Sequence, residues 1–156
     1  MLKSKRDTQV KPSILIDTTF LMPALGVGVE KDAEEIIPYF RKINVYYLEI
    51  GLLEAMWKII KIAPQDKLDR VKIGIEAIRN TYNLMKPSPR SYIEALMIYR
   101  KGHRDYIDAL HYTTAKDANI PLLTIDQEFI EFLKKHGYDI EKTILKPEYL
   151  KRIVKL

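Results

Sequence analysis

Not one cysteine occurs among the 156 residues. Disulfide frameworks, zinc ribbons and thiol chemistry are thereby excluded, and a reducing, cytoplasmic setting is expected. Glycine is scarce, with six residues, and none belongs to a Gly-Lys-Ser/Thr phosphate loop. Gly26-Val-Gly28 lacks the third glycine and the preceding strand of a dinucleotide fingerprint, and no Gly-x-Ser-x-Gly elbow occurs. Long apolar runs are missing too. A membrane span needs roughly 20 uncharged apolar residues, and Glu49, Glu54 and Lys58 interrupt the longest stretch. The basic start, Met1 to Arg6, precedes an apolar run from Ile14, but Asp17 sits inside that run and no small-residue cleavage site follows. A signal peptide is rejected, and a soluble protein without a membrane partner is expected.

What is present points to one folded domain. Apolar residues make up 47% of the chain, which excludes a disordered reading. The length suits one domain over residues 1–156, with a core that needs no staples. The formal charge of +5 is compatible with a polyanionic partner without requiring one.

Hydrophobic patterning alternates between short apolar runs and helical periods. Ser13 to Ile16 reads as a buried parallel strand closed by Asp17-Thr18-Thr19, followed by a short helix over Thr18 to Leu25. Lys31 to Ile43 has helical spacing, with a bend or break at Pro38. Val45 to Leu48 reads as a second strand and Glu49 to Ile62 as an amphipathic helix stopped by Pro64. Helices are expected over Asp66 to Tyr82, Tyr92 to Lys101, from Asp105, and over Gln127 to His136. The Lys86-Pro-Ser-Pro stretch reads as a turn. Strands are expected at Pro121 to Ile125 and Thr143 to Leu145. This alternation implies an α/β fold, a parallel sheet covered on both faces.

In that scheme Asp17 and Asp126 each follow a parallel strand, so both lie at the carboxyl edge of the sheet, where open α/β folds bind ligands. Glu54 lies about one turn into the helix after the second strand, and Asp108 in the first turn of the helix before Asp126. Each acid also has a plain reading. Asp17 can cap the turn after it, Asp105 and Asp108 can cap their helix, Glu54 can pair with Lys58, and Asp126 can cap the next helix. Four carboxylates in one cleft repel one another, and a hard divalent ion removes that cost. Oxygen-only donors without cysteine or clustered histidine point to Mg²⁺ or Mn²⁺. Such an ion polarises a phosphoryl oxygen and makes a nearby water more acidic, ready to attack phosphorus.

Ile14-Leu-Ile-Asp17-Thr18, Leu52-Leu-Glu54-Ala55, Asp108-Ala-Leu-His-Tyr-Thr-Thr-Ala115 and Leu122-Leu-Thr124-Ile-Asp126-Gln-Glu-Phe129 together resemble the PIN domains, metal-dependent ribonucleases that include the VapC-type toxins. The resemblance runs from Ile14 to about Phe132. It implies a three-layer α/β/α domain with a central parallel sheet of four or five strands. It also implies that Asp17, Glu54, Asp108 and Asp126 hold the Mg²⁺ or Mn²⁺ and catalyse, with Thr18 and Thr124 as hydroxyl positions that orient the cluster. The activity implied is endonucleolytic cleavage of single-stranded RNA. The implied partners are RNA, an antitoxin protein and a second copy of the chain.

The sequence departs from that pattern at His111 and Tyr112, where the family has apolar or small residues, and His111 reads as a packing residue before an acid or base. Glu49 rivals Glu54 at the same helix start, and Glu128 beside Asp126 is either a supporting oxygen or a helix N-terminal carboxylate. Arg100, Lys101 and Arg104 are read as phosphate contacts or a solvated basic turn. Tyr46, Tyr47, Tyr106 and Tyr112 could stack on bases, although packing is the commoner use. Trp57 is expected in the core or an interface, and the apolar surface of the 49 to 82 helices suits a dimer. Two other functions compete: a PIN-like module that binds RNA or protein without cutting, and a haloacid-dehalogenase-like phosphatase. The latter wants a second aspartate two residues after Asp17, where Thr19 stands.

Overall fold

The computed structural model describes residues 10–154; the basic segment Met1 to Arg6 and the signal-peptide reading attached to it lie outside the described residues. Five strands form one sheet: β1 (Ser13–Ile16), β2 (Asn44–Tyr47), β3 (Asn83–Leu84), β4 (Leu122–Leu123) and β5 (Ile144–Leu145). Every pairing is parallel and the order is β3-β2-β1-β4-β5. Parallel pairing requires crossovers, and the helical segments expected from the sequence supply them.

Side-chain alternation along β1 divides the interior. Ile14 and Ile16 join a core with α1 (Lys31–Ile36), α2 (Glu49–Ile62), α3 (Leu68–Thr81) and α7 (Pro147–Ile153). Leu15 faces the other way, into a core with α4 (Pro89–Arg100), α5 (Tyr106–Asp117) and α6 (Gln127–Lys135). Helices thus cover both faces, giving the three-layer α/β/α arrangement. Because β1 is buried on both sides, with Ile14, Leu15 and Ile16 fully enclosed, its sequence is uniformly apolar where a half-exposed strand would alternate.

Several boundaries differ from the expectation for identifiable reasons. The Thr18–Leu25 helix is two tight 3₁₀ turns, Thr18–Leu21 and Pro23–Leu25. The break at Pro38 occurs: α1 ends at Ile36 and a 3₁₀ segment continues over Ile37–Lys42. Helix α4 begins three residues before Tyr92, because the Ser88 side chain caps it, accepting from the Ser91 N–H, and Pro89 opens its first turn. Strand β3 and helix α7 were not foreseen; β3 is two exposed residues, too short to carry any period. Trp57 is not in the core: 53% of it is exposed. Among the described residues no helix is long and apolar enough to cross a membrane.

The strand order positions the site. From β1 the chain builds outward to β2 and β3 on one side, and later to β4 and β5 on the other. Between the carboxyl ends of β1 and β4 the winding direction reverses, and a crevice opens there.

Candidate active site

Asp17 leaves β1 directly into that crevice. Its N–H donates to the Leu123 carbonyl of β4 at 3.3 Å, and its carboxylate accepts the Thr19 N–H at 3.0 Å. Asp126 lies just past β4. Its N–H donates to Thr124 Oγ1 at 3.2 Å and its carboxylate accepts the Phe129 N–H at 3.0 Å, capping α6. In α5 the two nearby aspartates divide the work: Asp105 caps the helix by accepting the Asp108 N–H at 3.1 Å, which leaves the Asp108 carboxyl for the crevice. Glu54 of α2 pairs with Lys58 at 3.6 Å, so the plain i,i+4 reading of that glutamate is realised. The rival Glu49 forms an ion pair with Arg79 of α3.

The electrostatics relate these side chains. The Asp108 carboxyl is pushed up to about 8, first by burial and then by the negative charges of Asp105, Asp126, Asp17 and Glu54. Asp17 is pushed up to about 7 by burial, against the Thr124 hydroxyl, the Thr19 N–H and Lys58, with Glu54 adding to the rise. All four sequence-selected acids therefore act on one region, with Asp108 feeling the other three. They do not form a closed shell: among the described residues no three Asp, Glu or His groups stand close enough to hold an ion between them. The donor set is nevertheless hard and all-oxygen, and two carboxyls held toward their neutral form are what a divalent cation would relieve. The residues fit such an ion in charge and chemistry.

His103 was not among the residues singled out. Its Nε2 lies 3.2 Å from Asp108 Oδ2, and its ring stacks on Phe129, centroids 4.4 Å apart, beside Phe132. Burial lowers its pKa, against the pull of Asp105, Asp126 and Glu128. The available signal was a lone histidine five residues before Asp108. Lys58, read only as a partner of Glu54, also bears on Asp17.

Other expected contacts are redistributed. Tyr47 and Tyr112 are fully buried, so neither can stack on a base; the Tyr112 hydroxyl donates to the Asp139 carbonyl at 2.6 Å. Tyr106 donates to the Tyr92 carbonyl at 2.9 Å, and Tyr46 is half-buried. Lys101 lies over the Tyr138 ring and Arg104 over the Tyr99 ring, while Arg100 is exposed. Glu128 is exposed in the first turn of α6. The Thr124 hydroxyl bonds both Asp126 and Asp17, whereas the Thr18 hydroxyl is buried without a partner among the described residues. Two cavities include residues next to these acids. One of about 550 Å³ is lined by Thr19, Glu30, Lys58 and Lys61, the other of about 380 Å³ by Asp32, Thr124, Lys146, Glu148 and Lys151.

Comparison with known proteins gives a consistent picture. The sequence model of the PIN domain matches residues 14–135. No curated protein matches the sequence. Among solved structures, a Pyrobaculum aerophilum protein superposes with a TM-score of 0.61 at 17% identity, over 92% of this chain and 96% of that one. A toxin–antitoxin complex from Klebsiella pneumoniae gives 0.58 at 16% identity, over 86% of this chain and 97% of that one. A Mycobacterium tuberculosis toxin described as cleaving the sarcin–ricin loop gives 0.57 at 16% identity, over 83% and 98%. At these identities the likeness is one of fold.

Proposed function

The chain belongs to the PIN domain family, and from that premise we propose that it is a metal-dependent endoribonuclease acting on single-stranded RNA. Asp17, Glu54, Asp108 and Asp126 would hold Mg²⁺ or Mn²⁺, with Thr124 orienting Asp17 and Asp126. The observation that carries the reading is the placement of Asp17 and Asp126 at the carboxyl ends of the neighbouring strands β1 and β4, beside a half-buried Asp108 whose carboxyl is raised first by burial and Asp105 and then by Asp126, Asp17 and Glu54. When bound, a divalent ion supplies charge neutralisation at a phosphoryl oxygen and increases the acidity of water.

The chain's own contribution is to hold the substrate in register. Lys61 lines one of the two cavities and Lys146 the other, while Lys58 and Lys151 are paired with Glu54 and Glu35. The ammonium groups of Lys61 and Lys146 can meet phosphates of a bound strand, which positions the backbone without reading sequence. His103 holds Asp108 by its Nε2 contact.

Toxin–antitoxin complexes among the structural neighbours support an antitoxin as partner. A homodimer is supported by Leu53, Trp57 and Ile60, exposed at i, i+4 and i+7 on α2. The phosphatase reading loses ground, since Thr19 offers only its backbone N–H to Asp17. The direct test incubates the protein with single-stranded RNA and Mg²⁺ or Mn²⁺, with a chelated control. Asp17→Asn and Asp126→Asn should abolish cutting while circular dichroism stays native. Both variants cutting at the parent's rate would mean that the site is misassigned. RNA bound but never cut by the parent would favour the non-catalytic module.

A further inference from the structure

The three elements that carry Asp17, Glu54 and Asp108 meet again one layer below those acids. Thr18 is the neighbour of Asp17, Gly51 lies one turn before Glu54 on α2, and His111 one turn after Asp108 on α5. A Cβ placed on Gly51 would stand 3.2 Å from His111 Nε2 and 3.3 Å from Thr18 Oγ1. Both of those atoms are fully buried, and neither has a hydrogen-bond partner among the described residues. An unpaired polar atom in a dry interior is costly, so two beside the same bare backbone call for a common explanation.

Their chemistry is complementary. His111 Nδ1 lies 2.8 Å from the Ile107 carbonyl, which can only accept, so the ring proton is on Nδ1. Burial pushes the imidazole down to about 4 and keeps it neutral, leaving a lone pair on Nε2. The Thr18 hydroxyl has a proton to give. Gly51 supplies room for both, which accounts for an imidazole at a position where the family resemblance leads one to expect a small or apolar side chain.

We propose that His111 is a positioning residue of the site: its Nε2 accepts from the Thr18 hydroxyl through one bridging water beside Gly51, and so ties together the elements that bear the acids. The role rests on the nuclease reading above. Repulsion among Asp17, Glu54 and Asp108 tends to splay the β1 turn, α2 and α5 apart, and a buried tie one turn beneath opposes that motion. Side-chain partners that orient ion-holding groups typically contribute about ten- to a hundredfold in affinity.

Nitrogen-15 spectra of the metal-free protein test the tie without RNA or ion. The His111 Nε2 resonance should sit at the position of a hydrogen-bonded acceptor, move to that of an unbonded nitrogen in Thr18→Val, and return in Thr18→Ser. Titration with Mn²⁺ tests the role. Thr18→Val and His111→Phe should each weaken binding about tenfold, the double variant should be no weaker than either single one, and Thr18→Ser should bind like the parent. Multiplied losses in the double variant, or an Nε2 resonance indifferent to Thr18→Val, would overturn the proposal. A parent that binds no Mn²⁺ would overturn the nuclease reading and the positioning role with it, while one that binds Mn²⁺ and cuts RNA but shows the indifferent resonance would leave the nuclease standing and remove His111 alone.

Discussion

Asp108 and Asp17 are both raised chiefly by burial, but they differ in what surrounds them: Asp108 also feels the negative charges of Asp105, Asp126, Asp17 and Glu54, whereas at Asp17 Lys58 outweighs Glu54. Both carboxyls start from an ordinary value of 3.8 and are raised to about 8 and about 7. Between the ordinary and the raised values the folded chain binds more protons than the unfolded one, so stability falls as pH rises. The contribution is complete below about pH 4 and gone once pH passes through about 8. Asp108→Asn carries no charge at any pH and should flatten this decline. Calorimetry with chelator present, at about pH 5 and about pH 9, should show a smaller loss of Tm for the variant than for the parent; equal losses would mean that Asp108 is not the strained group. The same window governs the ion, because protons must leave as it binds. Mn²⁺ affinity should rise from pH 6 to about pH 8, and a flat titration would contradict the raised values.

Helix starts show how much of the site could be read at the scale of an element. Asp105, Asp108 and Asp126 all stand at or just inside a helix N-terminus, where sequence alone cannot separate a cap from an acid with another task. The fold separates them: Asp105 and Asp126 both cap, and the negative charges of both raise the Asp108 carboxyl. Asp105→Ala should therefore cost about 1 kcal/mol of stability in denaturant titration yet retain RNA cutting, whereas Asp108→Asn retains the helix and loses cutting. Strong periodic segments such as Glu49–Ile62 were legible to the residue, while β3 and α7 were not. A two-residue strand has no period, and Pro147 in front of a short amphipathic turn reads equally as a loop. His103 escaped for a similar reason, since its contact with Asp108 depends on a stack against Phe129 from a different helix. Gly74 of α3 is another such case. A Cβ there would lie 2.3 Å from the Ala24 carbonyl and 2.8 Å from Leu25 Cα. Gly74→Ala must push α3 off the Pro23–Leu25 turn, at a cost of about 1–3 kcal/mol, and a variant with parental stability would show that the turn can yield freely.

For the whole molecule, topology decides what meets what. Residues 17 and 126 are far apart in sequence, yet the order β3-β2-β1-β4-β5 makes β1 and β4 neighbours and brings both acids to the same crevice. That convergence followed from recognising two parallel strands, each ending in aspartate. Surface partners do not follow in the same way, because a helix stripe expected to be buried gives the same apolar signal whether it faces the core or another chain. Trp57 illustrates it. The sequence placed it in the core or an interface, and the fold leaves it half in solvent beside Leu53 and Ile60. If a second copy of the chain covers this stripe, the sole tryptophan becomes a reporter of assembly. Its emission should shift to the blue as concentration rises through the dimer range, and Trp57→Lys, by placing a charge in a desolvated contact, should leave sedimentation equilibrium at the monomer mass at all accessible concentrations. Since the stripe lies on the opposite side of α2 from the buried Leu52, Ala55 and Ile59, the variant should fold as the parent does. A Trp57→Lys protein that still sediments as a dimer would place the interface on another surface, for which the exposed Tyr92, Ile93, Leu96 and Met97 of α4 are the next to mutate.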